Sequence, residues 1–290
     1  MSEIKEVRNK IKCITNTQKI TKAMEMVSIS KMKKAEVKMN SGRPYLKTIK
    51  EIINNFISNN TRYQHVYLKQ RAVKKIGIII ISTDRGLCGN LNVTLFKKIL
   101  DFIQNYNNRN IISDLSILGL KGLSFFKSLS NKIVYSNDYA KNNYTFSDCL
   151  NCNSIFMKLY SIGEIDRLFL AYNKFKSTLI QIPSIIQLLP LSKKKIHCHN
   201  NNHWDYIYES DSKLLLNKLL NNYLEFQIYQ ASLENYTSEQ AARMIAMKQA
   251  TDNSKDLIRE LQIIYNKARQ DNITQELTEI VSGAAAISLN

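Results

Sequence analysis

The stretch LLLNKLLNNYLEFQIYQASLENYTSEQAARMIAMKQATDNSKDLIRELQIIYNKARQ, residues 214–270, decides the fold. It contains no glycine and no proline, and nearly every residue is a good helix former. The helical pattern extends from 211 to 288, and Leu257, Leu261, Ile264 and Ala268 keep the 4-3-4 spacing of a coiled-coil seam. Roughly 74 helical residues at about 1.5 Å each reach about 110 Å. A compact domain of this chain length has a radius of gyration of only about 19 Å. The spacing therefore predicts a helix that projects from the rest of the protein. Such a helix cannot bury its apolar stripe alone and requires a mate.

The other end of the chain supplies one. Residues 3 to 58 read as helix, with Ile4, Val7, Ile11 and Ile14 at 3-4-3 spacing. The stripe then meets Gln18 and Thr21. It reads as shifting phase to Ile20, Met24 and Val27, and again to Met32, Ala35 and Met39. Pro44 is expected to kink or restart this helix. The two terminal segments, 1–58 and 209–290, are expected to form a long antiparallel coiled coil.

Between them lies an α/β pattern over 70–192, with a connector over 193–208. KKIGIIIIS (74–82), DLSILGL (114–120), NKIVYS (131–136) and DRLFLAYNKF (166–175) read as strands, and helical stretches separate them. Alternation of this kind predicts a Rossmann-like domain with a mostly parallel sheet and right-handed crossovers. TLIQIPSIIQLLPL (178–191) follows with no helix before it. It is expected to pair antiparallel at an edge, where Pro183 and Pro190 are tolerated.

The formal net charge is +17. Residues 1–60 hold 13 Lys and Arg against 5 Asp and Glu, 61–208 hold 20 against 8, and 209–290 hold 8 against 11. This clustering implies an acidic partner. The basic run SKMKKAEVK (30–38) sets Lys31, Lys34 and Lys38 along one side of a helix. No aromatic residue interleaves with it, which argues against single-stranded nucleic acid. Five scattered cysteines fit a reducing compartment. No apolar run is long enough for a transmembrane helix, and the first residues show no export signal.

Two motifs invite a ligand. In IIIISTDRGLCGN (78–90) a strand runs into a turn with two glycines and then a helix, the outline of a phosphate loop. A P-loop needs a lysine after its second glycine, and Asn90 and Leu91 stand there. A dinucleotide loop needs three glycines at fixed offsets, and only Gly86 and Gly89 exist. Cys149 and Cys152 form C-x-x-C, and His197, Cys198, His199 and His203 crowd an Asn-rich connector. The cysteines sit in a helical pattern with no knuckle turn, so zinc is not expected. A nucleotide-binding enzyme on the α/β unit and a basic nucleic-acid-binding coiled coil remain the rival classes. The acidic C-terminal helix opposes the second.

The end of the chain, ELTEIVSGAAAISL (276–289), loses its polar face. Gly283 would ordinarily stop a helix, but the alanines after it can carry one on. A helix apolar all round must be enclosed. Nothing in this chain can enclose an end so far from the α/β unit, so a collar of other subunits is expected.

Four stretches carry a resemblance. NTQKITKAMEMVSISKMKKA (16–35), STDRGLCGN (82–90), SEQAARMIAMKQATDN (238–253) and ARQDNITQELTEIVSGAAA (268–286) resemble the gamma subunit of the bacterial rotary ATP synthase. The resemblance implies a rotor shaft without catalytic residues or cofactor, threaded through three alpha and three beta subunits. It implies further contacts with the epsilon subunit and the membrane ring of c subunits, at the cytoplasmic face of the bacterial inner membrane. It also places rotor–stator contacts at Met24, Arg269 and Gln270, coupling positions at Arg243, Thr274, Glu276 and Glu279, and a basic patch for beta's acidic segment at Lys31, Lys33 and Lys34. Asp84, Arg85 and Cys88 are then a subunit contact, and Tyr206 and Tyr208 face epsilon and the ring.

Overall fold

The structure, a computed structural model, describes residues 2–59, 65–129, 132–136, 146–191 and 212–288. In chain order these form α1 (Ser2–Asn59), a 3-10 turn (Val66–Leu68), β1 (Lys75–Ile81), α2 (Leu91–Asn107), β2 (Ile112–Leu118) and α3 (Leu120–Lys127). Then follow β3 (Lys132–Ser136), α4 (Phe146–Ile162), β4 (Arg167–Phe175), β5 (Gln181–Leu189) and α5 (Ser212–Ser288). The chain divides into two compact units: Met1–Ser28 with Arg243–Asn290, and Ile29–Ala242.

The larger unit holds a five-stranded sheet of order β3-β2-β1-β4-β5. β1 pairs parallel with β2 and β4, β2 pairs parallel with β3, and β5 runs antiparallel to β4 at the edge. β1 is a continuous apolar run because both its faces are covered. Ile76, Ile78 and Ile80 pack with Leu95, Phe96, Ile99 and Ile103 of α2 and Phe126 of α3. Ile79 and Ile81 lie on the opposite face with Phe156 and Tyr160 of α4, Ile49, Ile53 and Phe56 of α1, and Leu216, Leu220, Leu224 and Ile228 of α5. Gly77 is required by close approach: a Cβ there would stand 2.7 Å from the Phe156 ring.

Polar bonds also fix α5 to β4. The Asn173 backbone N–H and side-chain amide both donate to Asn235 Oδ1 (3.2 and 3.1 Å), and Ser238 Oγ donates to the Asn173 carbonyl (3.1 Å). All three residues are fully buried. On α1, Gln230 Nε2 reaches the Met39 carbonyl (2.9 Å).

One local expectation changes. α1 runs unbroken through Pro44. Pro44 and Asn40 are both exposed, so water can satisfy the carbonyl that the missing N–H would have bonded, while Met39 and Ile49 hold the other side of the helix in the core. α5 continues past Gly283 to Ser288, as the alanines after it allow.

Candidate partner-contact surfaces

In the smaller unit the seam follows a different register from the one the apolar residues suggest. On α1 the least exposed positions are Ile4, Val7, Ile11, Ile14, Gln18, Thr21, Glu25 and Ser28, an uninterrupted alternation of threes and fours. There is no phase shift. Thr21, Glu25 and Ser28 are buried, while Ile20, Met26 and Val27 are more than half exposed and Met24 is intermediate. The same spacing continues down α1 in the larger unit through Met32, Ala35 and Met39, all buried. On α5 the seam is Thr251, Ser254, Ile258, Leu261, Tyr265, Ala268 and Asn272. Leu257 and Ile264, expected in it, are about half exposed.

The seam is polar where the two helices meet at Thr21 and Thr251, whose hydroxyls lie 2.8 Å apart. Each also has a carbonyl of its own helix to donate to, at Gln18 and Met247. Ser28 donates to the Met24 carbonyl and Ser254 to the Ala250 carbonyl. Lys22 Nζ lies 3.0 Å from the Glu25 carboxylate, which keeps that buried charge partnered.

This register sends apolar side chains outward. Beyond Ile20, Met26 and Val27, the exposed set includes Leu257, Ile263, Ile264, Ile273, Leu277, Ile280 and Val281. Among them stand the exposed polar residues Arg269, Gln270, Thr274, Glu276 and Glu279. Thr274 Oγ1 donates back to the Gln270 carbonyl, and Gln275 Nε2 donates to Glu279. Arg243, one of the expected coupling positions, is buried, at 8% exposure.

In the larger unit Lys31, Lys33 and Lys34 are all exposed, while Met32 and Ala35 between them face inward. The 82–90 loop is turned in on itself. Ser82 Oγ accepts from the Gly122 N–H and lies within bonding distance of the Leu118 and Gly119 carbonyls. Asp84 Oδ1 accepts the N–H of Leu120, the first residue of α3. The carboxylate thus caps α3, whereas the helix that follows the glycine turn is α2. Thr83 Oγ1 donates to the Arg85 carbonyl and accepts from Asn92 Nδ2, which also lies 3.6 Å from Cys88 Sγ.

Cys88 is accordingly buried, at 3% exposure, and cannot itself be the loop's outward contact. The loop's exposed positions are Arg85, Leu87, Gly89 and Asn90, of which Arg85 and Leu87 carry the larger side chains. Leu87 is 62% exposed and takes a left-handed φ of 62°, an unfavourable conformation for a γ-branched side chain. Its exposure could not be read from sequence, where it looks like a core leucine.

Among the described residues no group of three metal-ligating side chains comes together. Tyr206, Tyr208, His197, Cys198, His199 and His203 lie outside the described residues, as do the side chains of Cys149 and Cys152 on α4. No helix among the described residues is long and apolar enough to cross a membrane.

A family model described as ATP synthase matches residues 3–287. The ATP synthase gamma chain of Buchnera aphidicola subsp. Melaphis rhois is 99% identical, with 100% of both chains covered. The chain belongs to the ATP synthase gamma-chain family. The gamma chain of Buchnera aphidicola subsp. Schlechtendalia chinensis is 62% identical, again over all of both chains. Among solved structures, a chain of the Euglena gracilis mitochondrial ATP synthase has a TM-score of 0.65 at 19% identity, covering 99% of this chain and 95% of its own. A chain of the Tetrahymena thermophila central stalk and c-ring has a TM-score of 0.59 at 24% identity, covering 80% and 99%. At those identities the likeness is one of fold, and it matches the long terminal helices and mostly parallel sheet seen here.

A gamma chain is a subunit of a larger complex. That gives the outward apolar face of the smaller unit a physical meaning. A single chain in water gains nothing by exposing isoleucines at 20, 263, 273 and 280, but a chain surrounded by partners does.

Proposed function

We infer that this gamma-family chain is the central-stalk rotor of ATP synthase. It turns inside a ring of three alpha and three beta subunits and couples ion flow through the c ring to ATP synthesis or hydrolysis. It carries no catalytic residues of its own; the chemistry belongs to the ring around it. With the epsilon subunit it sits at the cytoplasmic face of the bacterial membrane, held there by the complex.

The observation that carries this reading is the set of exposed apolar side chains from Leu257 to Val281, on a helix whose described residues are exposed all round beyond Asn272. A shaft must be stiff within itself and slippery outside. Apolar contacts are non-directional, so they change little as the shaft turns, whereas directed salt bridges would have to break at each step. To drive three sites differently, the shaft must make different contacts with each. Arg269, Gln270, Thr274 and Glu276 supply polar contacts on one stretch of α5, and Met24, Ile20 and Val27 supply apolar ones on α1. Lys31, Lys33 and Lys34 form a basic patch suited to an acidic segment of beta, and the 82–90 loop, with Asp84 and Arg85, is assigned to a separate subunit contact. Tyr206 and Tyr208 are assigned to the foot facing epsilon and the ring.

Rotation also requires that torque pass from the sheet to α5. The buried Asn173–Asn235–Ser238 bonds give a directional coupling where apolar packing alone would resist twisting weakly.

Reconstitution of the chain with alpha and beta tests the reading. Cooperative ATP hydrolysis should require one copy per three catalytic sites. Full cooperative activity from alpha and beta alone would refute it. The rival nucleotide-enzyme reading is opposed by the missing lysine after Gly89, where Asn90 and Leu91 stand.

A further inference from the structure

A cavity of about 220 Å³ in the larger unit is lined by Gln70, Arg71, Arg167, Gln187 and Pro190. It lies where the segment before β1 passes the start of β4 and the end of β5. Nothing in the rotor reading uses it.

Its chemistry is one-sided. Two guanidinium-bearing residues line it, with two side-chain amides, and no acidic residue does. Arg71 is pre-positioned: Nη1 donates to the Tyr160 carbonyl (3.2 Å) and the guanidinium lies over the Tyr160 ring, 5.2 Å from its centre. Gln187 is likewise held, its Nε2 donating to the Pro190 carbonyl (2.8 Å), which leaves its amide directed. Arg167 makes no hydrogen bond or ion pair among the described residues, although it is only partly exposed. The neighbouring Asp166 does not neutralise it by contact: its Oδ2 accepts the Lys74 and Lys75 amides.

Two arginines lining one small space, one held against Tyr160 and one with no side-chain partner among the described residues, match a tetrahedral oxyanion that accepts several N–H donors. Carboxylate is the weaker fit, since a single planar group is satisfied by one guanidinium. Size sets the upper limit. Pockets for nucleotide- or drug-sized ligands run about 300–1,000 Å³, so 220 Å³ admits a phosphate group with a few waters but not a nucleoside.

We propose that the cavity between Arg71 and Arg167 is a phosphate site of this chain. The group it takes is either free inorganic phosphate or the phosphate headgroup of an anionic phospholipid, and the two share the same donors. The site does not depend on the rotor reading, and its test uses no catalytic readout.

The full-length chain is titrated with inorganic phosphate by calorimetry, and separately mixed with phosphatidic acid–containing vesicles and pure phosphatidylcholine vesicles. Arg167→Gln is the decisive variant, because Arg167 holds nothing else together and its loss should leave folding intact. Arg71→Lys keeps the charge and loses the fork. Lys97→Gln, on exposed α2, controls for diffuse attraction to a basic protein. Wild type and Lys97→Gln should bind alike, Arg167→Gln should bind at least tenfold more weakly, and Arg71→Lys should fall between. Phosphate should raise the unfolding temperature of wild type but not of Arg167→Gln. Binding to phosphate in solution identifies the free ion. Binding to phosphatidic acid vesicles alone, lost in Arg167→Gln, identifies the lipid. Equal affinity in wild type and Arg167→Gln, or no binding in either arm, overturns the site.

Discussion

Val27 and Ser28 are neighbours on α1, and exchanging each for Asp separates the two possible seam registers. Ser28 is 2% exposed and Val27 is 53% exposed. If the polar seam is real, Ser28→Asp buries a carboxylate where a hydroxyl had bonded the Met24 carbonyl at 2.8 Å. The lost bond costs about 1 kcal/mol, and a poorly partnered buried charge adds about 2–4 kcal/mol more. Val27→Asp gives up only the buried half of a valine. With full burial worth about 1.5–3 kcal/mol, that loss is about 1 kcal/mol. The difference is therefore at least about 2 kcal/mol, or roughly thirtyfold in the unfolding equilibrium. Urea unfolding of the full-length chain followed by circular dichroism measures it. The order should reverse in assembly: Val27→Asp, on the outward face, should impair incorporation into the alpha–beta complex more than it impairs the free chain. Equal destabilisation by the two variants, or greater loss from Val27→Asp in the free chain, would refute the register.

Three further expectations concern the larger unit. Gly77→Ala places a Cβ 2.7 Å from a buried phenyl ring, so the core must shift; the variant should lose about 1–3 kcal/mol in the same urea assay. Asn235→Ala strands the Asn173 N–H in a fully buried site and should cost about 1–3 kcal/mol, together with reduced coupling of hydrolysis to ion pumping in the assembled complex. Burial, opposed by Arg43 and Lys174, raises the Glu234 carboxyl above its ordinary 4.5. The folded chain then holds a proton that the unfolded chain has released. Glu234's contribution to stability is complete below about pH 4.5 and falls as pH rises through the raised folded value. Glu234→Gln should flatten that fall, and an unchanged slope in thermal melts across pH 4.5–8 would show that another group carries it.

The sheet was legible because its physics is local. β1 and most of β4 are buried on both faces, so β1 reads as an unbroken apolar run from Ile76 and β4 as one from Leu168 to Tyr172. The edge position of β5 could be read from Pro183 and the lack of a crossover helix. The seam of α1 was not legible, and the reason is specific. Apolar residues at 20, 24 and 27 outweigh Gln18, Thr21, Glu25 and Ser28 in any hydrophobic pattern, yet the polar set lies inside. A periodicity argument assumes that apolar side chains are buried by their own chain, and a subunit meant to be surrounded breaks that assumption. The same logic explains Cys88 and Leu87. The resemblance makes Cys88 a subunit contact, but Thr83 and Asn92 draw the thiol inward while the turn leaves Leu87 exposed. The cavity between Arg71 and Arg167 left no trace because its residues meet only when the segment before β1 crosses the ends of β4 and β5.

The polar seam has a consequence for how such a shaft can work. An all-apolar heptad seam is tolerant of sliding, since one leucine layer resembles the next. A pair of threonines whose hydroxyls meet across the seam favours one register, because a one-turn slip would break that contact, whereas Glu25 keeps Lys22 of its own helix in any register. The stability surrendered by burying polar groups is small, about 1 kcal/mol per hydroxyl when its bond is kept. What is gained is that α1 and α5 cannot creep past each other under load. For a helix pair whose outer face is meant to slide against partners, locking the inner face is the condition that makes outer slip productive.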